Sequence, residues 1–223
     1  LPLRPRSASL SLPPRPHAAL ALLIVLLAGA PASAAEWRVK PGESIQAIID
    51  RAAPGDTVQV ARGLYRENLH ITRPLRLTGQ DRPTIDGGGQ GDTIRVSAPD
   101  VQIEGLIVAN SGADLGEQNA GIYLRPGSHR ARVSRCDFSY TLFGLWIEKA
   151  NDVVIEHNLI TGKRDLDSSQ RGNGIQLYNT TGAHIEGNNI SFVRDAIYVD
   201  VSHQAVFRGN RMHHSRYGTH YMN

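Results

Sequence analysis

The sequence predicts an all-β chain wound as a right-handed, single-stranded parallel β-helix. Three observations carry that expectation. First, "VVIEHNLI" (153–160), "AHIEGNNI" (183–190) and "AVFRGNRM" (205–212) repeat one another, with a weaker copy in "ARVSRCDF" (131–138). Second, between them runs another family, "AGIYL", "FGLWI", "NGIQL", "DAIYV" and "YGTHY". Its second residues, Gly121, Gly144, Gly174, Ala196 and Gly218, stand 23, 30, 22 and 22 apart. Third, each unit holds short alternating runs divided by Gly, Asn, Asp or Ser, and residues 92–223 show no helical period. Strands this short close no core alone, but stacked on the preceding unit they bury a continuous one. A propeller needs a longer period of ~40–50 residues.

The chain opens with a leader, residues 1–35. Arg4, Arg6 and Arg15 precede an apolar run of 13 residues, "AALALLIVLLAGA", and a small-residue box ending in Ala32 and Ala34. The run falls short of the ~20 residues of a membrane span, so it reads as a signal peptide cleaved after Ala34 or Ala35. Without the leader's three arginines, 21 of the 24 Lys+Arg remain against 21 Asp+Glu. That balance excludes the basic stripe of a nucleic-acid binder. The single cysteine, Cys136, excludes an internal disulfide.

Residues 36–91 are expected to form an N-terminal cap and the first rungs. "ESIQAIIDRAA" places Ile45, Ile48, Ile49 and Ala52 on one face of a short helix, with Ser44 as N-cap. Such a helix would shield the open end of the core. Residues 92–223 form the rungs. Ile122, Leu145, Ile175, Ile197 and Thr219 are expected to point inward, as are Leu124, Ile147, Leu177, Val199 and Tyr221. Val133, Ile155, Ile185 and Phe207 form a third inward column, and Met212 continues a fourth from Phe138, Ile160 and Ile190. Asn158, Asn188 and Asn210 stack at one bend, where each amide can bond its copies, and Cys136 takes the same place one rung earlier. The segment Thr161–Asn173 is a polar insertion expected to project from the stack. The chain starts without methionine and stops at Asn223 within a rung, as expected of a solenoid whose C-terminal part is missing.

Residues between the inward ones point outward. The first outward column is Tyr123, Trp146, Gln176, Tyr198 and His220, and the second is Arg125, Glu148, Tyr178, Asp200 and Met222. A face holding Tyr123, Trp146, Gln176, Tyr178, Tyr198 and Asp200 suggests a partner or ligand surface, unless loops cover it. His220 and Met222 share that face, and imidazole with thioether suits copper(I). His214 and His203 are weaker additions to the candidate ligand set. Hydrolases need two carboxylates at close range. Here Asp195 and Asp200 share a rung, but there is no adjacent Asp-Asp pair and no Gly-His-Gly or Asp-Pro-His-Asp motif.

The cap "VKPGESIQAIIDRAAPGDTVQVARGLYREN", the turn "RPTIDGGGQGD", the run "RGNGIQLYNT" and above all "DAIYVDVSHQAVFRGNRMHHSRYGTHYMN" resemble the NosD family of nitrous oxide reductase maturation proteins. The resemblance covers residues 36–223. It implies a pectin-lyase-like β-helix exported to the periplasm, with no catalytic residues and no resident cofactor. It also implies a binding platform for ABC transporter subunits, nitrous oxide reductase and a copper donor protein, with copper passing transiently. The alternative within the same fold is a carbohydrate-active lyase, epimerase or binding module.

Overall fold

The computed structural model describes residues 34–222, so the leader lies outside the described residues. Each turn of the chain contributes one short strand to each of three parallel sheets. The first sheet has eight strands, from Glu36–Val39 to Val206–Arg208. The second has seven, from Leu64–Arg66 to Arg211–His213. The third has seven, ending in Phe143–Glu148, Ile175–Tyr178, Asp195–Asp200 and Tyr217–Met222. The architecture is a right-handed parallel β-solenoid of about eight turns.

The columns read from the repeat are columns in space. Ile122, Leu145, Ile175, Ile197 and Thr219 are successive register partners in the third sheet, and so are Leu124, Ile147, Leu177, Val199 and Tyr221. Val133, Ile155, Ile185 and Phe207 align in the first sheet. Phe138, Ile160, Ile190 and Met212 align in the second. From Ile122 to Val199 the third-sheet inward residues are buried, whereas Thr219 and Tyr221, on the last described strand, are exposed. Burying each such Ile or Leu contributes about 1.5–3 kcal/mol.

The bends explain the recurring "GN". In the four units that carry the ladder, the residue before the ladder position has a left-handed backbone: Arg135, His157, Gly187 and Gly209 lie at φ 53, 53, 65 and 59°. Glycine accepts that conformation without steric cost. The following asparagines form the expected ladder. Asn158 Nδ2 donates to Asn188 Oδ1 at 2.9 Å, and Asn188 Nδ2 to Asn210 Oδ1 at 3.0 Å. Cys136 sits one rung up, buried, with its backbone N–H donating to Asn158 Oδ1.

The small residues of the second repeat family have a different cause. A Cβ built on Gly144 would stand 2.4 Å from the Gly174 carbonyl oxygen, and one on Gly174 would stand 2.4 Å from Ile190 Cγ2. These positions therefore let adjacent rungs approach closely. At the first end, the helix Ile45–Arg51 lies over the core with Ile45, Ile49 and Ala52 buried. Ser44 Oγ accepts from Ala47 N–H, as expected of an N-cap. The Glu67 carboxylate adds bonds from the Ile45 and Gln46 N–H groups.

Candidate functional site

The outward face of the third sheet is only partly open. Tyr123, Trp146, Gln176, Tyr198 and His220 are register partners along it, as are Glu148, Tyr178, Asp200 and Met222. Tyr123 and Gln176, however, are only 3% and 4% exposed. Two loops cover them. The insertion folds back in part: Leu166 packs against the cluster of Tyr123, Leu142, Phe143 and Trp146, while Asp167, Ser168, Ser169 and Gln170 are exposed. Further contacts tie it down. Lys163 lies over the Tyr140 ring and Arg164 over Phe192, while Tyr140 Oη donates to Asp165. Residues 110–119 bring Leu115 over the same face. Under this cover Tyr123 Oη donates to Glu148, and burial together with that carboxylate raises its pKa. Tyr178 is exposed, and Trp146, Tyr198 and Asp200 are half-buried.

Where the cover ends, a cleft of about 320 Å³ opens over the last four rungs. Its floor includes Trp146, Gln176, Tyr198 and His220, and its wall includes Arg171, Arg194 and Arg216. Beneath it Asp195 is fully buried. Arg216 donates to it through a fork, Nε to Oδ1 at 3.0 Å and Nη2 to Oδ2 at 2.7 Å. His220 Nδ1 lies 2.8 Å from Oδ2. Burial alone would raise the Asp195 pKa, but the bonds and charges of Arg216 and His220 outweigh it and hold it low. An ionised carboxylate only accepts, so His220 donates from Nδ1, and Nε2 is the ring nitrogen left free of Asp195. Tyr198 and Tyr217 meet the ring edge-on at 4.6 and 5.1 Å. A histidine whose second nitrogen is held by a carboxylate is the usual arrangement of a metal-ligating imidazole.

The four candidate ligands fall in three places. His220 and Met222 share the outward face of Tyr217–Met222, with Met222 44% exposed. His214 lies at the preceding bend, stacked on Phe192 at 4.7 Å, its Nδ1 2.7 Å from that of His213. His203 is exposed at the bend before Val206–Arg208, bridged to Thr181. Among the described residues no three of His, Cys, Asp and Glu cluster as a metal site. Sequence reading did not single out Arg171, Arg194 and Arg216 for a site. The 22-residue interval between Arg194 and Arg216, equal to the repeat, was the available signal.

Residues 156–223 match the profile of NosD, described as a periplasmic copper-binding protein. The likeness is to the NosD family. A probable ABC transporter binding protein NosD from Pseudomonas aeruginosa is 33% identical over 176 residues, covering 79% of this chain and 39% of that protein. The NosD protein of Stutzerimonas stutzeri, of the same description, is 32% identical over 133 residues, covering 60% of this chain and 30% of that one. This chain thus spans about two fifths or less of the curated NosD proteins it matches. Among solved structures, pectin methylesterase PemA from Erwinia chrysanthemi superposes with a TM-score of 0.53 at 16% identity, over 79% of this chain and 66% of that one. The Aspergillus niger pectin methylesterase gives 0.51 at 15%, over 87% and 82%. These two show the β-solenoid fold alone. The NosD profile covers His203, His214, His220, Met222 and the whole Asp195–Arg216–His220 cluster.

Proposed function

We propose that this chain is a member of the NosD family and a periplasmic accessory protein for copper-site assembly in nitrous oxide reductase. It is a non-enzymatic binding platform working with an ABC transporter, a copper donor protein and the reductase. One observation carries the reading: His220, inside the segment that matches the NosD profile, is fixed by buried Asp195 through Nδ1 and presents Nε2 on an outward face that also holds Met222. Copper(I), as cargo, favours this imidazole and thioether pair. Asp195 cancels the Arg216 charge beside the imidazole, and Met222 lies off the arginine-lined cleft. Tyr178 and Asp200, the open part of the outward face, then serve as docking surface.

The test is the copper content of nitrous oxide reductase purified from cells lacking the full-length protein. The reading expects reductase deficient in copper, restored by the wild-type gene and only weakly by His220→Ala. Normal copper content in the deletion would overturn it.

A further inference from the structure

The cleft beside His220 carries more positive charge than its acidic residues balance. Arg216 is neutralised by Asp195, but Arg194 and Arg171 have no carboxylate within 4 Å among the described residues. Arg171 is positioned rather than loose, donating Nε to the Leu166 carbonyl at 2.8 Å and Nη2 to that of Arg164 at 3.0 Å. Arg194 and Arg216 are set one rung apart, the Arg216 backbone N–H donating to the Arg194 carbonyl at 2.7 Å. No carboxylate side chain lines the cleft. One wall of a concave site of about 320 Å³ therefore presents guanidinium donors that the protein itself leaves uncompensated.

The floor is of another kind. Trp146 lies half-buried in it, its indole N–H enclosed and without an acceptor among the described residues. Gln176 is oriented by Asn173, whose Nδ2 donates to its Oε1 at 2.7 Å, and Tyr198 borders His220. Guanidinium forks match the geometry of planar and tetrahedral oxyanions, and the aromatic floor suits a small ring or short apolar body.

We infer that this cleft is a binding site for a small oxyanion-bearing ligand, its carboxylate or sulfate-type group held by Arg171 and Arg194 and its body resting on Trp146 and Tyr198. His220 shares the floor of this cleft with Tyr198, but Arg171 hydrogen-bonds the Leu166 and Arg164 carbonyls rather than that ring.

Isothermal titration calorimetry of the full-length protein with galacturonate, sulfate and neutral methyl galactoside tests this. The expected result is saturable binding of galacturonate, competition by sulfate and no binding of the neutral sugar. Arg194 is half-buried at the rim, so Arg194→Gln should fold and weaken both anions about tenfold, the loss of roughly one charge-assisted bond. Sulfate binding without galacturonate binding, or the reverse, still supports the site and tells whether the ring contributes. Trp146→Phe should weaken galacturonate and spare sulfate if it does. The inference is overturned if neither anion binds at millimolar concentration, if the neutral sugar binds equally well, or if Arg194→Gln binds as the wild type does.

Discussion

Asn188→Ala removes the middle of the asparagine ladder. Asn188 Oδ1 accepts from the Asn158 backbone N–H at 3.0 Å and from Asn158 Nδ2 at 2.9 Å. Its Nδ2 donates to the Ile155 carbonyl at 2.9 Å and to Asn210 Oδ1 at 3.0 Å. After truncation the Asn158 side chain keeps the Val133 carbonyl, and Asn210 Oδ1 keeps the Asn188 N–H. The Asn158 backbone N–H and the Ile155 carbonyl lose their side-chain partner in a region where Asn188 is 1% exposed. Each buried group left this way costs about 1–3 kcal/mol, so the loss should be about 2–6 kcal/mol. Asn210→Ala makes the same change at a half-buried rung, where water can replace the amide, and should cost about 1 kcal/mol. Urea unfolding of the full-length protein followed by circular dichroism compares the two. A loss below about 1 kcal/mol for Asn188→Ala, or equal losses for both, would refute the assignment of the ladder as a buried brace.

Three other outcomes follow from the same geometry. Gly174→Ala forces a Cβ to 2.4 Å from Ile190 Cγ2 and 2.6 Å from the Ala196 carbonyl, and should cost about 1–3 kcal/mol in urea unfolding, whereas Gly218→Ala, with nothing nearer than 3.7 Å, should be near neutral. Asp195 has its pKa lowered by folding, so its contribution is complete above the unfolded value of 3.8 and is lost as pH falls through the lower folded value. Arg216→Gln removes the main cause of that depression, and acid unfolding should then begin at higher pH, read from melting temperature between pH 3 and pH 6. The Cys136 thiol, pushed up to about 12 by burial, should resist alkylation at pH 8 in the native protein and react only in denaturant.

The columns of the solenoid were legible because a one-strand-per-sheet repeat gives the inward positions copies 22 or 23 residues away, or 30 across the insertion. Met212 was assigned to the core on that basis and packs partly buried against it, while Ser44, assigned as a cap from the helical pattern of "ESIQAIIDRAA", caps that helix. The cover over Tyr123 and Gln176 was not legible, because it depends on how Leu166 and Leu115, in segments outside the repeat, fold back on the sheet. The role of Asp195 was also hidden. Its position opens a strand, and only the register with Tyr217 places it under Arg216 and His220. The αL bends explain why glycine and asparagine recur together, a pairing that the repeat displayed and local geometry accounts for.

Competition titration of copper(I) against a chromophoric chelator, on the full-length protein and its His220→Ala and Met222→Ala variants, tests the central claim most directly. The account predicts binding by the wild type and affinity at least about tenfold weaker in each variant, the equivalent of losing ~1.4 kcal/mol or more. Absence of copper(I) binding, or binding unchanged by both substitutions, would contradict it.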